Sequence, residues 1–144
     1  MLKYIKISKK PRILYRLTGL TIEQFTVLCT KLKPSWEKAE KRRLTQRERK
    51  HALGQGRKYK LSAIEDKLLV MLVFYRYYLT DELMGYLFSI HPSNACRLRI
   101  KMEPLLEKAA DPSLSQSIRH RISPDVQKVS TLEELLVVCP DFAE

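Results

Sequence analysis

Residues 80–102 read TDELMGYLFSIHPSNACRLRIKM, and this stretch predicts two short helices joined by a tight turn. Thr80 is a typical helix N-cap, and Pro92 suits the first position of the second helix, where a backbone N–H has no partner in any case. Gly85 is small enough to let two helices cross closely. We therefore place a helix-turn-helix at residues 80–103.

Apolar residues give each of these two helices an inner face. The predicted inner residues of the first helix are Leu83, Met84 and Leu87, and those of the second are Ala95, Leu98 and Met102. Ile90 is expected to fill the turn. The run at 68–75 is apolar nearly all round, so it predicts a buried central helix, at 62–78, on which the inner faces pack.

Polar residues of the second helix fall on the outward face. Their side chains are of the types that hydrogen-bond with base edges in a DNA major groove. The predicted base-reading residues are Ser93, Asn94, Arg97 and Lys101. Arg97 is expected to contact a guanine and Asn94 an adenine. The same pattern also allows a plain helical bundle with a solvated polar face.

The net charge indicates a polyanionic partner. The chain has 27 Lys and Arg against 16 Asp and Glu, a formal net charge of +11. Nucleic acid is the usual partner of such an excess, and no basic segment has the clean apolar face that a membrane-surface helix needs. Duplex DNA is the predicted partner.

The basic residues are concentrated in the front part of the chain, with twelve Lys and Arg at 31–60 and two at 61–92. Arg57, Lys58 and Lys60 lie in a glycine-bearing loop, and we expect them, together with Arg99, to contact phosphates. The run KAEKRRLTQRERKH at 38–51 is either a solvated helix face or a surface that follows DNA phosphates. The sequence leaves both readings of this run open.

The remaining sequence also predicts helices, in an all-α helical bundle of about five to seven helices. Four glycines and few alternating apolar runs argue against an all-β fold. We predict a basic N-terminal arm at 1–16, poorly ordered or docked only locally. A helical DNA-binding domain is predicted at 17–110, and a linker with a short helix at 111–144.

Capping boxes mark four predicted helix starts, because a Ser or Thr is followed three residues later by Glu or Gln. The boxes are Thr21/Gln24, Thr45/Glu48, Ser62/Glu65 and Thr131/Glu134. Pro34 is expected to end the first of these helices. A new helical run is expected to begin at Ser35.

No catalytic residue, cofactor or metal is predicted. Most acidic residues lie at predicted helix starts, where capping and the helix dipole explain them. The histidines and cysteines lack zinc-ligand spacing, and Cys29 and Cys96 are interpreted as small core residues. With no signal peptide or membrane span in the sequence, we expect a cytoplasmic, nucleoid-associated protein.

Several segments together resemble the helix-turn-helix domain at the front of insertion-sequence transposases of the DDE superfamily. They are LTGLTIEQF (17–25), GQGRKYKLS (54–62), DKLLVMLVFYRYYLT (66–80), LMGYLFSIHPSNACRL (83–98) and IRHRI…STLEELLVVCPDF (118–142). The resemblance implies recognition of the terminal inverted repeats of a mobile element. One departure is Ser89, which stands where the family commonly has glycine after the phenylalanine.

In the family, the first catalytic aspartate comes shortly after a tripeptide like that at 140–142, and no such residue follows here. The resemblance therefore implies the DNA-reading front of a transposase without its catalytic half. A truncated remnant, the first frame of a split transposase and a free-standing regulator all fit.

Two other functions stay open. The acidic tail with LEELLVV at 132–138 could dock a separately encoded catalytic chain or support self-association, which would make the protein an interaction module. Enzyme activity would require carboxylates supplied by a separate chain.

Overall fold

The computed structural model describes residues 3–46, 61, 63–109 and 133. These residues form six helices: α1 (Tyr4–Ile7), α2 (Pro11–Thr18), α3 (Ile22–Thr45), α4 (Ile64–Tyr77), α5 (Asp81–Phe88) and α6 (Pro92–Ala109). No strand is present in these ranges, and the predicted all-α fold is confirmed. The linker and capping box predicted within 111–144 lie outside the described residues, apart from Glu133.

Helix α4 is the centre of the fold, as its apolar sequence predicts. Its buried residues run without interruption from Leu68 to Phe74, and the other five described helices all pack against it. The helix begins at Ile64, and its N-cap is Ala63, whose side chain cannot accept a hydrogen bond. The N-cap is therefore one residue after the predicted Ser62, which itself lies outside the described residues.

The N-terminal segment is helical and joins the core, which corrects the expectation of a poorly ordered or locally docked arm at 1–16. Tyr4 stacks on Phe25 of α3, with ring centroids 4.7 Å apart. The Tyr4 backbone N–H donates a hydrogen bond to the Asp66 carboxylate of α4 at 2.8 Å. Leu14 of α2 is fully buried. Most of the predicted arm is thus part of the folded bundle.

Helix α3 is a single helix of 24 residues that continues through Pro34. A proline inside a helix removes a backbone hydrogen bond and costs about 3 kcal/mol or more. Leu32, just before it, is fully buried, and Trp36, just after it, packs against the core. Burial on both sides of Pro34 offsets the cost. The predicted helix end at Pro34 and new start at Ser35 are therefore wrong.

The two predicted capping boxes in α3 have different outcomes. At Thr21 the box is present: its hydroxyl accepts from the Gln24 N–H, and the Gln24 side chain accepts from the Thr21 N–H. Thr45 is the last residue of α3, and its hydroxyl donates to the Lys41 carbonyl oxygen at 2.8 Å. Thr45 therefore ends a helix and is not an N-cap, and its predicted partner Glu48 lies outside the described residues.

Candidate nucleic-acid interface

Helices α5 and α6 cross closely at Gly85. A Cβ atom built on Gly85 would lie 2.6 Å from the Ile90 carbonyl oxygen and 3.3 Å from Cδ of Pro92. The Ile90 N–H also donates to the Gly85 carbonyl oxygen at 2.9 Å, which fixes the turn against α5. Only a residue without a side chain fits here, as the sequence predicts.

The turn between the two helices uses a left-handed backbone conformation at Ser89. Its φ angle is +54°, and its N–H donates to the Gly85 and Tyr86 carbonyl oxygens of α5. Glycine is the residue that adopts this conformation at least cost. This is the position where glycine is common in the resembling family, and the structure gives that preference a backbone reason.

Helix α6 begins with His91 as its N-cap. The His91 Nδ1 accepts a hydrogen bond from the Ser93 N–H at 3.2 Å, and its carbonyl oxygen accepts from the Ala95 N–H. This contact satisfies a backbone donor at the helix start and requires Nδ1 to carry no proton. Pro92 occupies the first helical position, as predicted, whereas the role of His91 was not predicted.

The inner faces of α5 and α6 are buried as the sequence predicts. Their buried residues include Leu83, Met84, Leu87, Ala95, Leu98 and Met102. Ile90 is partly buried against the same core. Helix α6 packs on α4, as expected, and also on α3, which was not expected. One side of α6 is therefore fixed in the core, and the opposite side is open.

The open side of α6 brings together three of the predicted base-reading residues. Ser93, Asn94 and Arg97 are all exposed, and the three- and four-residue spacings place them side by side near the start of the helix. The N-terminal part of a recognition helix is the part that contacts base edges in helix-turn-helix proteins. This open side is the candidate base-reading face.

Ile100 is an apolar member of the base-reading face that the sequence analysis missed. It follows Arg97 by three residues and Ser93 by seven, and its side chain is 64% exposed. The helical spacing alone places Ile100 on this face. An exposed isoleucine in this position offers a methyl-sized apolar contact.

Arg99 points away from the base-reading face, and the structure gives it different partners from the predicted phosphate. Its Nη2 lies 3.3 Å from Oδ2 of Asp81 in the first turn of α5. Its guanidinium carbon lies 4.4 Å from the centre of the Phe74 ring in α4. The Arg99 side chain is only 19% exposed. These contacts tie α6 to α5 and α4, and a contact of Arg99 with a phosphate stays a prediction.

Lys101 lies at the edge of the base-reading face, next to α3. Its Nζ is 3.7 Å from Oε1 of Glu40. Glu40 also accepts two hydrogen bonds from Arg43, at 2.9 and 3.2 Å. The hydrogen bonds from Arg43, with smaller effects from Lys101 and Lys67, hold the pKa of Glu40 below its ordinary value. Glu40 is therefore a stable anion that links α6 to the basic half of α3.

The segment that forms α4, α5 and α6 is similar to a known protein family. Residues 59–112, which include α4, α5 and α6, match the family model described as helix-turn-helix of DDE superfamily endonuclease. This segment is similar to a DDE-type helix-turn-helix. A helix-turn-helix of this family implies DNA binding in general, and the resemblance seen in the sequence is confirmed for residues 59–112. Neither the curated proteins nor the solved structures gave a match to the chain.

Some predicted features lie outside the described residues. These include the loop cations Arg57, Lys58 and Lys60 and, apart from Glu133, the acidic tail at 122–144. Contacts of the loop cations with phosphates stay a prediction, and so does docking of a catalytic chain on the tail.

The structure describes two of the three cysteines. Cys29 is a core residue as predicted, and burial raises the pKa of its thiol to about 12. Cys96 is half-buried beside the Arg99 guanidinium. In the described ranges, no group of three or more His, Cys, Asp and Glu side chains is placed to hold a metal ion. No helix in those ranges combines the length and apolarity needed to span a bilayer.

Proposed function

We propose that this protein recognises a specific duplex DNA sequence, as the part of a transposase that binds the transposon ends. The observation that carries the proposal is the base-reading face of α6, whose residues Ser93, Asn94 and Arg97 are exposed while the opposite side of the helix is buried. A net charge of +11 supports the same partner.

Each residue of the base-reading face suits a particular base edge. Arginine makes two hydrogen bonds with guanine O6 and N7, asparagine pairs with adenine N6 and N7, and serine can pair with either. We assign these contacts to Arg97, Asn94 and Ser93. Ile100 suits the 5-methyl group of thymine, because an aliphatic side chain makes an apolar contact with that group.

The proposed target is the pair of terminal inverted repeats of a mobile element. This choice follows from the resemblance to insertion-sequence transposases and from the match of residues 59–112 to a DDE-type helix-turn-helix. A protein with this function works on the chromosome, so we propose a nucleoid-associated location. The loop cations Arg57, Lys58 and Lys60 contribute phosphate contacts in this proposal.

The experiment is a binding titration of the purified chain with labelled duplexes across a series of salt concentrations. One duplex carries the terminal repeats from the genomic neighbourhood of the coding sequence, and the control duplex has the same composition in shuffled order. We expect binding that weakens with salt and is at least about a thousandfold tighter for the repeats. Equal affinity for both duplexes would contradict recognition of transposon ends, and no binding to either would contradict DNA binding.

A further inference from the structure

Four charged side chains from three helices meet where α6 packs on α3, a cluster that we name the α3–α6 seam. Its members are Glu40, Arg43, Lys67 and Lys101. Glu40 lies at the centre, because Arg43 and Lys101 both contact its carboxylate at the distances given above. Lys67 of α4 lies nearby, with its Nζ 5.1 Å from the centre of the Trp36 ring.

Positive charge exceeds negative charge in the α3–α6 seam. Three cations converge on one carboxylate, which gives these four groups a net charge of +2. Burial lowers the pKa of Lys67, and the charge of Lys101 lowers it further, although Glu40 and Asp66 oppose both effects. An additional anion close to these cations would be favourable.

The exposure of these side chains shows which of them an incoming anion can reach. The side chains of Arg43 and Lys101 are 42% and 40% exposed, whereas that of Glu40 is 21% exposed. The side chains of Arg43 and Lys101 are therefore partly accessible from solvent, and that of Glu40 is less so. Glu40 acts here as a positioning residue, because it restrains two long, flexible side chains without covering them.

The position of the seam relative to the base-reading face identifies the anion. Lys101 follows Arg97 by one helical turn and lies at the edge of that face. When a recognition helix enters the major groove, residues along its edges meet the sugar-phosphate backbone that borders the groove. We propose that Arg43 and Lys101 together bind a backbone phosphate beside the groove that α6 enters, which makes α3 a second DNA-contacting element. This inference rests on the proposed function.

The competing explanation is a structural ion-pair network that only attaches α6 to α3. A structural network contributes to the free energy of unfolding but leaves unchanged the number of counterions released when DNA binds. A phosphate contact changes that number. Each contact makes the negative slope of log K against log salt concentration steeper by about 0.9. The salt slope therefore separates the two explanations.

The test is a charge-matched pair of double variants. Arg43→Gln/Lys101→Gln removes the two accessible cations of the seam. Lys6→Gln/Arg12→Gln removes one Lys and one Arg from exposed positions on α1 and α2, helices that pack on α4. Both double variants lower the net charge equally, so the comparison cancels the long-range effect of charge. Binding to a random-sequence duplex and to the terminal repeats is measured at several salt concentrations, and thermal unfolding is followed in parallel.

We expect the seam variant to have a salt slope shallower by about 1 than that of the control variant. Its affinity should fall by the same factor for random duplex and for the terminal repeats. Equal slopes for the two double variants would overturn the inference and leave a structural ion-pair network. Lys101→Gln alone repeats the test if the double variant is unfolded, because the single change affects a side chain that is already 40% exposed.

Failure of this inference and failure of the proposed function are distinguishable. If the wild-type chain binds duplex DNA with a steep salt dependence and the seam and control variants agree, only the seam contact is wrong. If the wild-type chain does not bind duplex DNA, the proposed function is wrong, and the proposed phosphate contact of the seam is wrong as well.

Discussion

Arg99 of α6 and Asp81 of α5 form an ion pair that closes the helix-turn-helix on the side away from the base-reading face. The Nη2 to Oδ2 distance is 3.3 Å, and the Phe74 ring lies against the same guanidinium. The pair joins two residues that are 18 positions apart in sequence. It fixes the angle at which α6 projects its outer residues.

Replacing Arg99 tests whether this residue is structural. Arg99→Met keeps the aliphatic stem and loses the charge, so we expect the free energy of unfolding to fall by about 1–2 kcal/mol. The salt slope of DNA binding should remain as in the wild type. Denaturant unfolding and the salt titration provide the two measurements. A slope shallower by about 1, with little loss of stability, would favour the phosphate contact expected from the sequence.

Gly85→Ala tests the close approach of α5 and the turn. Alanine in place of glycine normally stabilises a helix by about 0.5–1 kcal/mol. At Gly85 the added methyl group would meet a backbone oxygen at 2.6 Å, and the backbone cannot move aside as a flexible side chain can. We therefore expect a net destabilisation of about 1–3 kcal/mol in denaturant unfolding. A gain in stability would show that the turn accommodates a side chain.

Ser89→Gly tests the strain in the turn. A non-glycine residue in the left-handed region costs about 1–2 kcal/mol, so glycine should raise the free energy of unfolding by about 1 kcal/mol. Ser89→Ala is the matched control, since it removes the hydroxyl group and keeps the same backbone cost. The prediction requires the glycine variant to be more stable than the alanine variant. Equal unfolding midpoints for the two would contradict it.

Ile100 is tested by removing methyl groups from the DNA. Replacing thymine by uracil in the bound site removes the 5-methyl groups, and the loss of one methyl contact, about 0.8 kcal/mol, lowers affinity about fourfold. Ile100→Ala should bind the thymine and uracil duplexes equally. Val27→Ala, an exposed aliphatic residue on α3, is the control and should keep the fourfold difference. Discrimination that survives in Ile100→Ala would assign the methyl contact to another residue.

Arg97 and Lys58 are predicted to affect DNA binding in different ways. Arg97→Ala should cost about 1–3 kcal/mol on the cognate site and relax specificity at one base pair. Lys58→Ala should weaken binding to all sequences by a similar factor and make the salt slope shallower by about 1. Competition titrations with cognate and random duplexes measure both effects. Wild-type behaviour in both variants would mean that a different face of the protein meets DNA.

The helix-turn-helix was predictable because its signals are local. The Thr80 cap, the small Gly85 and the first-turn Pro92 each act within a few residues, and the structure contains all three features. The apolar spacing of α5 and α6 also gave their buried faces correctly. Local hydrogen bonding and side-chain volume decide these features, and a sequence displays both.

The features that the sequence did not predict depend on distant contacts. Pro34 does not end α3, because burial of Leu32 and Trp36 outweighs a local cost. Arg99 looked like a surface cation, because its sequence neighbours do not reveal that α5 places a carboxylate beside it. The helical N-terminal segment likewise depends on packing against α3 and α4. In several cases the residues that decide these features lie dozens of positions away in the sequence. The periodicity of a single helix does not reveal such distant contacts.

The central position of α4 couples the first and last described helices energetically. Residues 59–112 define the recognisable motif, but α1, α2 and α3 cover part of the surface of α4. The motif is therefore smaller than the cooperative folding unit. Since binding to the folded state alone raises its population, DNA held by α6 should slow amide hydrogen exchange in α2, a helix that need not touch DNA. Conversely, a substitution at Tyr4 would lower occupancy of the DNA by depleting the folded population, with every base contact intact.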